Sequence, residues 1–106
     1  MSDPREEQFL EVLRHFPGDP MTLFGLASHY RDRGRTMDAI ARFRECLASD
    51  PNYGAAGLEL GRLLESTGAI DEARTVYAEA RKNAETRGDE EIVTITTARL
   101  EELGGS

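Results

Sequence analysis

The sequence predicts an all-α protein built from antiparallel helix pairs, and three observations carry that prediction. Residues of matching size recur 34 positions apart: Phe9, Phe43 and Tyr77; Leu26 and Leu60; Gly34 and Gly68; Ala39 and Ala73; Pro17 and Pro51; Glu11, Glu45 and Glu79. Within one period the apolar residues fall at i, i+3, i+4 and i+7, one stripe on a helix. Gly34, Gly68, Pro17 and Pro51 stand between the stripes, where chain reversals belong.

Residues 1–19 predict a single helix. Asp3 is suited to its N-cap and Pro4 to its first position, Phe9, Val12 and Leu13 form its stripe, and Pro17 follows its end. Residues 20–53 predict two helices. The first runs from Pro20 to about Arg33 on Leu23, Leu26, Ala27 and Tyr30; the second runs from about Met37 to Ser49 on Ala39, Ile40, Phe43, Cys46 and Leu47. Gly34 reverses the chain, because a positive φ costs it no Cβ clash. Pro51 closes the second helix, having no N–H to donate and pushing Asp50 out of the α region.

Residues 54–87 repeat the pair with Leu60, Gly61 and Leu64, then Gly68, then Ala73, Tyr77 and Ala80. No proline stands near Glu85, so the helix beginning near Ile70 is expected to run on toward Arg87. Residues 88–106 open on a Gly-Asp stop-and-cap pair and predict a terminal helix of about Asp89 to Leu103, with the acids Asp89 to Glu91 suited to its positive end. Its buried stripe is either Ile92, Ile95 and Thr96 or Val93, Thr97 and Leu100. The β-branched run there has strand character, but no second strand exists to pair with it. The small residues Ala27, Ala39, Gly61 and Ala73 allow close helix approach, while Phe43 and Tyr77 fill the space beside them.

Spacing and residue size together resemble the tetratricopeptide repeat, a helix–turn–helix unit of about 34 residues. Leu23, Leu26, Ala27, Tyr30, Gly34, Ala39, Phe43, Cys46 and Pro51 occupy its signature places in one unit, and Leu60, Gly61, Leu64, Gly68, Ala73, Tyr77 and Ala80 in the next. The resemblance implies one domain over 1–106: an N-terminal half repeat (1–19), two full repeats (20–53 and 54–87) and a capping helix with tail (88–106), wound as a right-handed superhelix. Gly57 stands where the family carries a large apolar group, which implies looser packing there.

The family also implies a function: a non-catalytic protein–protein interaction module that holds a peptide or helix in a concave groove, without a cofactor. The groove positions carried over are Met21, Phe24, Ser28 and Arg31 from the first repeat, and Ala55, Leu58, Arg62 and Glu65 from the second. Phe24 and Leu58 lie off the main stripes, so an exposed apolar patch is expected at both. Some family members hold a peptide's terminal carboxylate with Lys and Asn; Phe24, Ser28, Leu58 and Arg62 stand here instead, and that clamp is not reproduced. The alternative is a structural module that forms a homo-oligomer through the solenoid ends.

Charge narrows the partners. Thirteen basic residues against 20 acidic ones give a net charge of −7, which disfavours nucleic acid and anionic membrane surfaces. No apolar run reaches the ~18 residues of a membrane span, and the N-terminus lacks a secretory pattern, so a cytoplasmic setting is expected. The single Cys46 fits that setting and reads as a buried small hydrophobe. His15 and His29 have no ligand spacing around them, so no metal is expected, and no serine or threonine sits in a nucleophile motif. The basic cluster Arg31 to Arg35 is expected to solvate a helix end. Truncation of Phe43 or Tyr77 to Ala is expected to cost about 3–5 kcal/mol, measured by urea denaturation.

Overall fold

A computed structural model describes residues 3–104; residues 1, 2, 105 and 106, including the end of the tail, lie outside the described residues. It contains α1 (Pro4–His15), α2 (Pro20–Asp32), α3 (Thr36–Ser49), α4 (Gly54–Ser66), α5 (Ile70–Arg87) and α6 (Glu90–Glu102), with no strand among the described residues. Contacts divide the chain into two compact units, Met1–Asp50 and Pro51–Ser106.

In the first unit, α1 and α2 are capped by their own sequence. The Asp3 carboxylate accepts from the Arg5 N–H and the Asp19 carboxylate from the Thr22 N–H, each ahead of a proline in the first turn. Gly34 turns the chain from α2 to α3 at φ +76°. The buried face of α2 carries Leu23, Leu26, Ala27 and Tyr30, and that of α3 carries Ala39, Ile40, Phe43 and Cys46. Phe24 sets its edge on the Phe43 ring, with centroids 5.5 Å apart at 63°. The Cys46 thiol is buried and donates to the Pro20 carbonyl at 3.3 Å.

α1 is fixed on α2 by one aromatic contact and several polar ones. A Cβ at Gly25 would stand 2.7 Å from the Phe9 ring, so the ring occupies a place that only glycine leaves open. Arg33 pairs with Asp3 at 2.7 Å and Arg35 with Glu6 at 2.8 Å, while the Arg35 guanidinium lies 4.3 Å over the Tyr30 ring. The cluster expected to solvate a helix end therefore also pins α1, a role that needs the acids of a neighbouring helix to be visible.

In the second unit, Tyr77 is fully buried and lies on Gly61, where a Cβ would come within 2.6 Å of the ring's Cζ. Its O–H donates to Glu65 at 2.5 Å, and Arg99 of α6 grips the same carboxylate through Nε at 3.1 Å and a terminal nitrogen at 2.5 Å. One aromatic residue thus ties α4, α5 and α6 together. α5 runs to Arg87 and ends on Gly88 at φ 74°, as the missing proline implied. Asp89 then caps α6 by accepting from the Ile92 N–H at 3.2 Å. The buried stripe of α6 is Ile92, Thr96 and Leu100, which takes members of both candidate stripes. Thr96 is admitted because its hydroxyl donates back to the Ile92 carbonyl at 2.7 Å and leaves no polar atom unpaired.

The expectation of loose packing at Gly57 is corrected. A Cβ there would stand 2.9 Å from the Ala80 Cβ, so α4 and α5 approach closely and the glycine is needed. Gly57→Leu, which restores the family's large residue, is expected to destabilise the protein by about 1–3 kcal/mol. Urea denaturation checks the sign.

Candidate partner-binding groove

The residues expected to line a groove fall into two chemically different sets. On α2, Met21 is 72% exposed, Phe24 is half-buried against Phe43, and Ser28 and Arg31 follow on later turns. Arg31 bonds Asp32 through Nε at 3.1 Å. Phe24 and Ser28 line a cleft of about 460 Å³, shared with Arg5 from α1 and with Gly25, His29, Asp32 and Arg33. The Ser28 Oγ is buried and has no hydrogen-bond partner among the described residues, although a helical serine has its own i−4 carbonyl within reach. The rest of the cleft's polar lining is partly engaged: His29 meets Asp3 at 2.9 Å, and Arg33 shares that carboxylate.

On α4 the picture differs. Leu58 is only 7% exposed, which corrects the expectation of an apolar patch there. The cause is local: Ala56, Gly57, Leu58, Leu60, Gly61 and Leu64 are all buried, so α4 is covered on more than one side and the off-stripe residue is covered too. Glu65 holds Tyr77 and Arg99 and so belongs to the packing of its own unit. Arg62 is exposed and pairs within its helix to Glu59 at 2.8 Å.

Sequence reasoning missed Arg5, Gly25, His29, Asp32 and Arg33 as cleft residues. Gly25 carried a signal, since a glycine inside a helical stripe marks close approach of another group. His29, Asp32 and Arg33 lie on or just past α2 and follow from its register beside Ser28, whereas Arg5 is placed by the way α1 lies on α2, which no spacing within α2 encodes.

Residues 24–88 match the Tetratricopeptide repeat family. The chain belongs to the tetratricopeptide repeat family. A TPR repeat-containing protein of Pseudomonas aeruginosa is 30% identical over 80 residues, 76% of each chain. The solution structure of a tetratricopeptide repeat domain protein from Salinibacter ruber superposes with a TM-score of 0.78 at 27% identity, over 84% of this chain and 90% of that one. The Sgt2 TPR domain of Aspergillus fumigatus shares the fold alone, with a TM-score of 0.72 at 19% identity over 95% of this chain and 69% of that one. Tetratricopeptide repeat domains are generally protein–protein interaction modules that bind other proteins or peptides, and typically non-catalytic scaffolds.

Burial pushes the Cys46 thiol up to about 11, with Asp50 and Asp19 adding to the effect, so it is almost wholly protonated at neutral pH. Among the described residues no group of three His, Cys, Asp or Glu is placed to hold a metal ion, and no helix is long and apolar enough to cross a membrane.

Glu65 gives the fold an acid sensitivity. The Arg99 guanidinium, aided by the Tyr77 hydroxyl and opposed by partial burial, holds its carboxyl below the usual 4.5. Folding therefore favours the ionised form, and its contribution is present above about pH 4.5 and lost as pH falls through the folded value. Glu65→Gln is expected to cost about 1–3 kcal/mol at pH 7 and less as pH falls below about 4.5, read from urea midpoints across that range.

Proposed function

We propose that this chain is a non-catalytic, cytoplasmic binding module that takes a peptide or a short amphipathic helix on the outward face of α2. Met21 and Phe24 supply the apolar contacts, Ser28 a hydroxyl for a polar group of the ligand, and Arg31 a polar margin. One observation carries the reading: a half-buried phenylalanine and a buried serine oxygen without a partner line one cleft on α2, and an exposed methionine stands about one turn before that phenylalanine. A buried hydroxyl without a hydrogen bond is unfavourable, and a ligand that reaches it removes that cost on binding.

A peptide across one helix and a cleft buries little area, so affinity is expected near micromolar. Leu58 is left out of the contact set because it is buried, and Glu65 because its carboxylate already has two partners. The test is selection of binders from a displayed random-peptide library, followed by titration of ¹⁵N-labelled protein with a selected peptide. Amide shifts are expected to concentrate between Met21 and Asp32. Met21→Glu, a substitution at an exposed position, is expected to weaken binding about tenfold or more with helical CD unchanged. Selected peptides that perturb other helices and bind the variant equally well refute the reading.

A further inference from the structure

We propose that the open face of α1 is a docking surface for a second copy of this chain, which offers the α5–α6 end of its second unit head to tail. The register of the repeat exposes this face. Cys46 and Ala80 stand 34 residues apart, and each lies against the first helix of its own pair: Cys46 on the Pro20 carbonyl, Ala80 under Gly57. They are 0% and 8% exposed. Val12, one period before Cys46, is 41% exposed, and Phe16, the cap residue just past the end of α1, is 65% exposed. The position covered by a first helix in both later pairs is uncovered here among the described residues.

α6 follows the second helix pair as α4 follows the first, so it stands in the chain order of a first helix. Beside its N-terminal end lies a cleft of about 420 Å³, lined by Ala84, Gly88, Glu90, Val93 and Thr94 among others, large enough for a side chain of ligand-like size. Helices pair antiparallel within a repeat: Gly54, at the start of α4, meets Arg87 at the end of α5, and Glu65, near the end of α4, meets Tyr77. An α1 set on α6 in the same sense brings Phe16, near its C-terminal end, to that cleft. The same sense brings Arg5 toward Glu101 and Glu102. Neither Arg5 nor either glutamate has an ion pair among the described residues, so the charges match where the geometry places them.

An exposed aromatic on one end and an empty cleft on the other make a heterologous contact, which grows into chains or closes into rings. The contact uses none of Met21, Phe24 or Ser28, and the variants that test it lie outside the peptide cleft, so it stands or falls apart from the peptide-binding reading. The test is sedimentation of the full chain from micromolar to millimolar concentration, with two variants, Phe16→Glu on the α1 face and Val93→Arg in the cleft. The wild type is expected to associate with concentration, and each variant alone to associate at least about tenfold more weakly. An equimolar mixture of the two variants is expected to form a dimer that grows no further, because one retains an intact cleft and the other an intact α1 face. If either variant loses helical CD, Val12→Glu on the α1 face and Thr94→Arg in the cleft take their places, with the same rescue expected on mixing. A wild type that stays monomeric throughout, a loss confined to Phe16→Glu, or a mixture without rescue overturns the proposal; a loss confined to Phe16→Glu indicates a contact between two Phe16 faces.

Discussion

Both units depend on a ring lying where another helix has no side chain. Tyr77 on Gly61 is the fuller case, since the ring takes the volume that any Cβ would need and its hydroxyl is carried into the interior with it. A buried phenol is tolerable only if that hydroxyl is bonded, and Glu65 supplies the acceptor while Arg99 stabilises the charge so introduced. The apolar contact thereby demands a polar one, and the polar one recruits the next helix. In the first unit the same requirement is divided: Phe43 is buried with Phe24 on its ring, and Phe9 fills the gap at Gly25.

The two units secure their third helix by different means. α6 is held by the buried end of the Tyr77 network and by Arg74 donating to the Leu103 carbonyl at 2.9 Å. α1 is held by partly exposed ion pairs around Asp3 and Glu6. Asp3 caps α1, meets His29 and pairs with Arg33. Partial burial opposes its ionisation, but the Arg5 N–H, His29 and Arg33 together keep its carboxyl below the ordinary range. Pairs of this kind are individually weak and sensitive to salt, so α1 is the less firmly held of the two.

Most of the fold was legible because it rests on period and size, which a linear sequence records. The six helices, the turn at Gly34, the cap at Asp3 and the extension of α5 to Arg87 all follow from residues read within one or two turns of each other. Gly57 was misread because family likeness supplied an expected residue, while the space available is set by Ala80 on another helix. The cleft was half legible for a related reason. Phe24 and Ser28 belong to α2 and follow from its register, whereas Arg5 enters from α1 by the angle at which two helices meet. The stripe of α6 stayed open between two choices because Thr96 is polar by type and becomes a core residue only through its bond to the Ile92 carbonyl.

Equal spacing does not make equal surfaces. Periodicity treats Phe24 and Leu58 alike, and Arg31 and Glu65 alike, since each pair stands 34 residues apart. Their environments separate them. Leu58 is covered and Glu65 holds its own unit together, so these two of the second repeat's groove positions serve folding, while Arg62 stays exposed. Met21 remains uncovered and Ser28 unpaired, so the first repeat keeps its positions for something else. A residue already satisfied inside its own chain gains little from a partner, because binding must first break what holds it. Both recognition surfaces proposed above accordingly lie where the repeat pattern recurs without its usual internal contacts, on α2 and on the open side of α1.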